Sequence, residues 1–374
     1  MKIAYLALAA KRHDNHAGFT HPYHISRVLS GFADVTLFIS GPAPNVLRGE
    51  RPRIVELTLP SSVSTSLDPI DYMRSAKLAM NEMAGAELVH ERFRYNPLDL
   101  IFAVNRKYVL ELNDLAGYNS GGTWGSMRRE VFLQKLSRCN AVVTQTQTLR
   151  EHIRELTDRP VFVVPNGVDT EMFSPSQTDH VRDRYGIGED EILVTYVGSF
   201  RPWHGISIIA EAAGRVSELR RRVRFMLIGN GPLSRYARNV ARKAKNLIIT
   251  GDIPMEKVPG FISSSDICIA PFSSEFYRPI RELGFWWCPV KLFEYMSCGK
   301  PIVSVDFPEV KKIVRDTALL SPPGDHSGFS RNIVRLIDDD ELREELGNEA
   351  RRLALSEHSW NQRSELLLSI YDSL

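Results

Sequence analysis

The sequence predicts an α/β protein built from two doubly wound domains, each a parallel sheet with helices on both faces. Short apolar runs typical of strands alternate with longer helical patterns along the 374 residues, and this alternation favours a parallel sheet covered on both sides. The length is that of two domains. Residues 174–177 form a short polar stretch that contains Pro175 and separates two series of such runs, so we predict a linker there.

Each of the two series of apolar runs predicts its own set of strands and helices. In the first, strands are predicted at 3–8, 35–38, 54–57, 88–90, 108–112, 141–144 and 161–164, with helices at 24–32, 71–84 and 123–136. In the second, strands are predicted at 192–197, 225–228, 247–249, 267–270 and 302–305, before a charged helical segment at 338–374. The predicted domains are 1–170 plus 355–374, and 175–354. Since ligands of open α/β sheets bind beyond the carboxyl ends of the strands, we expect both domains to face a central cleft.

Composition narrows the class of protein. A net charge of +2 is too balanced to indicate a nucleic-acid partner. The four cysteines have no CxxC spacing, which argues against a zinc site or a disulfide framework and favours a reducing compartment. No apolar run approaches the ~18 residues that span a bilayer, and we interpret the apolar N-terminus as a buried strand rather than a signal peptide. We expect a cytoplasmic protein, either free or in peripheral contact with the inner membrane face.

The most informative motif is the segment at 289–301, PVKLFEYMSCGKP, which is typical of a loop entering a helix that a glycine closes. Lys291 and Glu294 are three residues apart and share one helix face, with Leu292 between them. A helix N-terminus with a lysine is suited to a phosphate, and a carboxylate one turn later can accept hydrogen bonds from ribose hydroxyls. A surface ion pair on an amphipathic helix explains the same spacing.

Two glycine-bounded loops follow predicted strands in the second domain. Gly198, Arg201 and His204 lie in the segment 196–205, where a glycine allows close backbone approach and an arginine can grip a diphosphate. Surface solvation of the arginine and a structural role for the histidine are the simpler alternatives. Gly229 and Asn230 begin the second loop, a Gly-x-Gly that either approaches a phosphate or a base or only makes a turn.

Polar residues also follow predicted strands in the first domain. Gly18 is predicted to lie in the loop after the first strand, and His24 at the start of the next helix. Glu91 and the pair Glu111 and Asn113 follow apolar strands and are expected at the cleft, where a carboxylate could position an acceptor hydroxyl or the sugar. Capping of the following helix is the alternative role for such residues.

Several catalytic signatures are absent from the sequence. There is no GxxxxGK[ST] phosphate loop, no HExxH and no GxSxG. No Asp-x-Asp pair follows a predicted strand to hold a divalent metal under a diphosphate. A helix dipole with arginine and lysine side chains would have to stabilise that charge instead.

Taken together, these segments resemble the family-4 retaining glycosyltransferases of the GT-B fold, which have two Rossmann-like domains. The resemblance covers nearly the whole chain and is carried by 165–169, 198–205, 229–232 and 291–301, in this order and spacing. It implies that the first domain binds the acceptor and the second binds a nucleotide sugar. It also implies a last helix that crosses back to the first domain near 359–360.

The resemblance also implies roles for single residues. Glu294 matches a glutamate that contacts the donor ribose, Asn113 falls where relatives contact the donor sugar, and Gly18 matches a loop that closes over the diphosphate. Arg201 and Lys291 are expected to neutralise the leaving diphosphate. The predicted catalytic set is Asn113, Arg201, Lys291 and Glu111, and the predicted donor-binding set is Gly18, Gly198, Arg201, His204, Gly229, Asn230, Lys291, Leu292, Glu294 and Glu282.

This sequence departs from the family pattern at three positions. Trp286 stands where relatives have a glutamate that touches the donor sugar, and nearby Glu282 is the candidate substitute. Ser199 and His204 occupy the positions of the usual arginine and lysine phosphate clamp. These departures leave the identity of the donor sugar open.

The expected activity is a metal-independent transfer of a hexose, with retention of configuration, from a nucleoside-diphosphate sugar. UDP or GDP is the expected nucleotide, no cofactor is expected, and the acceptor is a hydroxyl of a glycan, glycolipid or small molecule. An internal-return path, with closure about the 165–177 hinge, fits the absence of a clearly placed nucleophile. An epimerase or phosphorylase of the same fold, and a non-catalytic nucleotide-sugar or glycan-binding protein, remain alternatives.

Overall fold

A computed structural model describes residues 1–8, 17–41, 52–57, 69–115, 118, 122–176, 180–244, 246–275 and 277–374. Contacts divide these residues into two compact units, 1–166 with 360–374, and 167–359. The division predicted from sequence instead places the boundaries at 170 and 355. The predicted α/β class with two parallel sheets is confirmed.

Unit 1 has a parallel sheet in the order β3-β2-β1-β4-β5-β6-β7 among its described residues. Its strands are β1 (Lys2–Ala7), β2 (Asp34–Ser40), β3 (Arg53–Leu57), β4 (Leu88–Arg92), β5 (Lys107–Leu112), β6 (Ala141–Thr144) and β7 (Val161–Val163). Its helices are α1 (Ala17–Leu29), α2 (Pro69–Glu82), α3 (Gly122–Arg138), α4 (Gln147–Arg154) and, from the end of the chain, α14 (Trp360–Asp372). A short 3₁₀ helix, Pro97–Ala103, packs against α3.

Unit 2 has a parallel sheet in the order β10-β9-β8-β11-β12-β13 among its described residues. Its strands are β8 (Ile192–Val197), β9 (Val223–Ile228), β10 (Leu247–Gly251), β11 (Ile267–Ala270), β12 (Ile302–Val305) and β13 (Ala318–Ser321). Its helices are α5 (Val181–Tyr185), α6 (Ile206–Leu219), α7 (Ser234–Ala241), α8 (Val258–Ser263), α9 (Arg278–Leu283), α10 (Val290–Ser297), α11 (Pro308–Val314), α12 (His326–Asp338) and α13 (Asp340–Glu357). In both sheets the strand order reverses beside the first strand, at β1/β4 and at β8/β11, which are the switch points where ligands of this architecture bind.

The first helix begins earlier than predicted. It starts at Ala17, so Gly18 lies in its first turn rather than in a loop, and His24 lies mid-helix. The sequence predicts this helix at 24–32. An interior proline costs a helix one backbone donor. The structure keeps Pro22 inside α1, whose buried face packs on α14, so tertiary packing outweighs the lost donor. The preceding loop, 9–16, lies outside the described residues.

The charged C-terminal segment, predicted to be helical, forms two helices. The chain leaves α13 at His358 and re-enters a helix at Trp360. The His358 carbonyl accepts a hydrogen bond of 2.9 Å from the Val168 amide, and this break coincides with the boundary between the units. Within the described residues, no helix combines the length and apolarity needed to cross a bilayer.

A fully buried network of charges ties β4 to α3 in unit 1. Lys135, at 0% side-chain exposure, contacts Glu91 and lies 3.2 Å from Asp99. Arg94 donates two hydrogen bonds to Asp99, and the Tyr108 hydroxyl donates to Glu91 at 2.6 Å. Burial raises the pKa of Glu91, with Lys135 opposing that rise. Glu91, which we expected at the cleft, is therefore a structural partner of this network.

We expect Lys135→Met to lower the free energy of unfolding by about 3–5 kcal/mol, because it leaves two carboxylates in the interior without their shared cation. Urea denaturation at neutral pH measures the loss. Arg53→Met is the matched control, since it breaks an ion pair with Glu82 in the same unit whose arginine is 64% exposed, and pairs at the surface contribute little. Equal losses for the two variants would show that the Lys135 network does not stabilise the unit.

Candidate functional site

The loops after β8 and β9 approach each other so closely that only glycine fits. A Cβ on Gly229 would lie 2.2 Å from the Gly198 carbonyl oxygen, and a Cβ on Gly198 would lie 2.6 Å from Lys291 Nζ. Both glycines have positive φ, 126° and 143°, a region that side-chain-bearing residues rarely adopt. The glycine at 198 therefore provides the space that the Lys291 ammonium occupies.

Lys291 lies in the first turn of α10, beside the carboxyl end of β8. Its Nζ donates to the Tyr196 hydroxyl at 3.0 Å and lies 4.2 Å from the centre of the Tyr196 ring. Burial lowers the pKa of Lys291 to about 7, with the nearby Glu294 carboxylate opposing that shift. An anion bound here would restore the charged form, because an opposite charge favours ionisation.

Glu294 follows one turn later on the same helix. Burial raises its pKa to about 7, and Lys291 opposes that rise. Its carboxylate accepts no hydrogen bond from any residue that the structure describes. Leu292 between them is fully buried, and its amide bonds to the Pro289 carbonyl at 3.2 Å, so its side chain belongs to the core rather than to a ligand surface.

His204 has a fixed tautomer. Its Nδ1 lies 2.6 Å from the Ser199 carbonyl oxygen, and because a carbonyl only accepts, Nδ1 carries the proton. Burial, together with the charge of Lys291, lowers the pKa of His204 to about 3. The ring is therefore neutral at neutral pH, and its Nε2 can accept a hydrogen bond but cannot bring positive charge to a phosphate.

Arg201 and Asn230 flank this arrangement. Arg201 is exposed, and its guanidinium lies 5.4 Å from the centre of the Trp203 ring. The Asn230 side-chain oxygen accepts from the Gly231 amide at 2.9 Å and from the Ser234 hydroxyl. These bonds hold the turn after β9, which is the structural alternative that the sequence left open for this segment.

Trp286, which stands where relatives have a glutamate, and Glu282, its candidate substitute, differ in their exposure to solvent. Trp286 is fully buried, whereas Glu282 lies on α9 and accepts a hydrogen bond of 2.6 Å from Arg278 on an exposed helix face. An i,i+4 spacing accounts for this pair. Glu282 is thus engaged in a surface ion pair, and nothing among its described contacts links it to Lys291.

In unit 1, Glu111 is the centre of a buried polar cluster. Its carboxylate takes hydrogen bonds or ion pairs from Tyr5, His21 at 3.0 Å, His90 at 3.2 Å, Arg92 at 2.9 Å and Gln145 at 3.4 Å. Burial alone would raise the pKa of Glu111, but the charges of His21 and Arg92 together with these hydrogen bonds hold it well below the usual range. Glu111 is therefore ionised, and its oxygens are occupied by protein donors.

Two neighbours orient this cluster. Burial lowers the pKa of His90, so a neutral ring donates from Nε2 to Glu111 and accepts at Nδ1 from Tyr371, 2.5 Å away. Register places Arg92 opposite Glu111 in the sheet. The other edge of the Arg92 guanidinium donates to the amide oxygen of Asn113 at 2.5 Å, once that amide is oriented to accept.

The structure therefore brings together Gly198, Gly229, His204, Lys291 and Glu294 in unit 2, and Glu111 with Asn113 in unit 1. It leaves Glu282 and the Leu292 side chain outside the unit 2 group. Sequence reasoning missed Tyr196, His21 and Tyr5. The only local signal for Tyr196 is its place two residues before Gly198 at a strand end; His21 and Tyr5 reach Glu111 from elements far away in sequence.

Comparison with known proteins gives one family match and several relatives. Residues 191–339 match the family model of the Glycosyl transferases group 1. The α-D-kanosaminyltransferase of Streptomyces kanamyceticus is 27% identical over 62% of this chain and 60% of its own length. Spore coat protein SA of Bacillus subtilis is 23% identical over 90% of this chain and 94% of its own. The match to the first of these relatives, like several others, spans less than two thirds of the relative's length.

Solved structures resemble the chain over its whole length. The sucrose-phosphate synthase of Thermosynechococcus elongatus superposes with a TM-score of 0.77 at 17% identity, covering 100% of this chain and 98% of the other. The Anabaena protein HepE, solved with UDP and glucose, gives 0.76 at 15% identity and covers 100% of both chains. At these identities the likeness establishes the fold.

We expect Glu111→Gln to destabilise the protein by about 3 kcal/mol at pH 7, because it removes a buried charge that several donors face. The folded-state pKa of Glu111 lies below the unfolded value of about 4.3, so its stabilisation is fully present above that value and is lost as the pH falls through the folded pKa. The gap between wild type and variant should therefore narrow below pH 4.3. Urea denaturation at stepped pH measures it, with exposed Glu130→Gln as the control; a gap independent of pH would contradict the assignment.

Proposed function

We propose that this chain, whose residues 191–339 match the family model of the Glycosyl transferases group 1, transfers a sugar, with retention of configuration and without a metal, from a nucleoside diphosphate to an acceptor hydroxyl. The observation that carries the proposal is the Lys291 ammonium at the first turn of α10, held against Gly198 at the carboxyl end of β8. Backbone amides at a helix N-terminus and an adjacent cation form a suitable seat for a diphosphate.

The leaving diphosphate needs charge stabilisation as the glycosidic bond breaks. Burial lowers the pKa of Lys291 to about 7, and Lys291 would bind the diphosphate in its ammonium form because a nearby anion favours the charged state. One preorganised donor of this kind contributes about 3–4 kcal/mol to transition-state stabilisation. Exposed Arg201 supplies the second positive charge, whereas neutral His204 supplies only an acceptor for a ligand hydroxyl.

The ribose is assigned to Glu294. Its carboxylate accepts no hydrogen bond from the described residues, so both oxygens are available for ribose hydroxyls. The nucleotide is proposed to be UDP, because the similar Anabaena protein was solved with UDP and glucose.

Unit 1 is proposed to position the acceptor. Glu111 is occupied by its protein donors, so we assign it to holding Arg92, and through Arg92 the amide of Asn113. No described carboxylate of the Glu111 cluster is free to act as a nucleophile. We therefore propose an internal-return path, in which the acceptor hydroxyl attacks on the face that the diphosphate leaves. The departing phosphate oxygen accepts the hydroxyl proton in that step.

Thermal stabilisation by a panel of nucleoside diphosphates, with and without a chelator, tests the donor site. UDP at 100 times its Kd should add about 2.7 kcal/mol of stability, and the chelator should change nothing. Incubation with UDP-hexoses and candidate acceptors, followed by NMR of the anomeric proton, then tests retention. Stabilisation with no product from any acceptor would favour a non-catalytic binding protein, and phosphate-dependent cleavage without nucleotide would favour a phosphorylase.

The substitution Glu294→Gln tests whether Glu294 contacts the ribose hydroxyls of the nucleotide. The variant should bind UDP about tenfold more weakly than wild type, while both should bind 2′,3′-dideoxy-UDP equally, because the dideoxy ligand has no ribose hydroxyls for residue 294 to contact. Calorimetry measures the four affinities. An equal loss for both ligands would place Glu294 away from the ribose.

Peripheral contact with an anionic membrane is a second proposal, carried by one surface of unit 1. Exposed apolar side chains lie on α3, on the 3₁₀ helix that packs against it and on the residue that follows that helix; they are Leu98, Ile101, Val104, Trp124 and Met127. Arg128 and Arg129 are exposed on the same helix. Tryptophan with arginine is a combination suited to the interface of an anionic bilayer.

Trp124→Ser should lower the partition coefficient onto vesicles that contain anionic lipid by a factor of roughly 10–100, since transfer of the ring into the bilayer interface contributes about 1.5–3 kcal/mol. Cosedimentation measures it. Phe32→Ser is the matched control, because Phe32 is as exposed as Trp124, at 62%, but lies in the turn after α1. If the two substitutions had equal effects, or if the wild-type protein did not bind the vesicles, the proposed membrane contact through this surface would be wrong.

A further inference from the structure

We propose that Tyr196 is the positioning residue of the donor-phosphate seat, holding the Lys291 ammonium in place through its hydroxyl and its ring. The inference rests on the proposed donor site. It adds to that site a residue that neither the sequence motifs nor the family resemblance singled out.

The direction of each hydrogen bond is fixed by chemistry. The Tyr196 hydroxyl lies 3.0 Å from the Ser199 carbonyl oxygen and 3.0 Å from Lys291 Nζ. A carbonyl only accepts and an ammonium only donates, so the hydroxyl donates its proton to Ser199 and accepts from Lys291. The hydroxyl cannot rotate to a competing partner without losing the first bond.

The ring adds a second restraint. Lys291 Nζ lies 4.2 Å from the centre of the Tyr196 ring and 5.6 Å from that of Phe272, both within the range of a cation–π attraction. Tyr196 is itself fully buried near the end of β8. A side chain with four flexible bonds is thus held by a rigid one, and this lowers the entropy that Lys291 must lose on binding an anion.

The geometry leaves Lys291 free to serve a ligand. One N–H of the ammonium is used by Tyr196, so the others remain for phosphate oxygens. Among the described residues, the charged or titratable groups that act on Lys291 or that its charge acts on are Glu294 on its own helix and His204 on the loop after β8. Of these, none is hydrogen-bonded to Lys291 in the described structure, which leaves Tyr196 as its anchor.

A double-mutant cycle tests the coupling. Tyr196→Phe keeps the ring and removes only the hydroxyl, and should weaken UDP binding about tenfold at pH 7 by calorimetry. In a Lys291→Met background the same change should cost nothing further, because the hydroxyl then has no ammonium to hold. Losses that add in the double variant would overturn the proposal.

Tyr295→Phe is the matched control. Tyr295 is another fully buried tyrosine of unit 2, but its hydroxyl accepts from the Val197 amide at 2.8 Å rather than from Lys291. Its variant should bind UDP within about twofold of wild type. A loss as large as that of Tyr196→Phe would show that any buried hydroxyl in this region has the same effect, and would overturn the proposal.

A ligand-free measurement separates this inference from the proposed function. The hydroxyl stabilises the charged ammonium, so NMR titration of ¹³Cε-labelled lysine, with the Lys291 signal assigned by Lys291→Arg, should give a lower pKa for Lys291 in Tyr196→Phe than in wild type. An unchanged titration overturns the positioning role. If wild type binds no UDP but the titration shifts, the donor assignment fails while the Tyr196–Lys291 coupling stands.

Discussion

Charge buried beside the carboxyl ends of parallel strands is the constraint on which both units depend. Removing an ion from water is costly unless partners replace its hydration. Unit 1 meets this cost in full: Glu111 is surrounded by donors from β1, α1, β4 and the segment after β6. Unit 2 meets it only in part, since Lys291 has one hydrogen-bonding partner in Tyr196 and Glu294 has none among the described residues. That difference is the reason we propose the ligand site at Lys291 and Glu294 and assign Glu111 a positioning role.

Partial compensation has a direct effect on affinity. A group that is desolvated but underpartnered in the free protein gains more from a ligand than a group that is already satisfied. The opposite shifts in the pKa of Lys291 and of Glu294, both to about 7, have burial as their main cause. A ligand that brings an anion to the lysine and hydroxyl donors to the carboxylate relieves both at once, which is the chemistry of a nucleoside diphosphate.

Sequence reasoning identified features that depend on neighbours in the chain. The helix at 290–297, its closing glycine and the Lys291–Glu294 face follow from local spacing, and the alternation of apolar runs gave the two parallel sheets. Sequence reasoning was less successful where contacts between residues far apart in the chain determine an element's bounds or a side chain's partners. The early start of α1 depends on packing against α14, the β13 strand is a short, half-exposed run that periodicity does not mark, and Glu282 is engaged by Arg278 rather than by the site. The partners of Glu111 come from residues 5 to 145, a set that no local pattern groups.

The division of the chain has a consequence for synthesis on the ribosome. Unit 2 is one continuous segment, 167–359, whereas unit 1 needs residues 360–374 in addition to 1–166. Helix α14 supplies Trp360 and Tyr371 to the core of unit 1, and Tyr371 bonds the His90 that faces Glu111. Unit 1, whose first residues precede unit 2 in the chain, is therefore completed after it, and until α14 emerges the buried charges of unit 1 lack part of their cover.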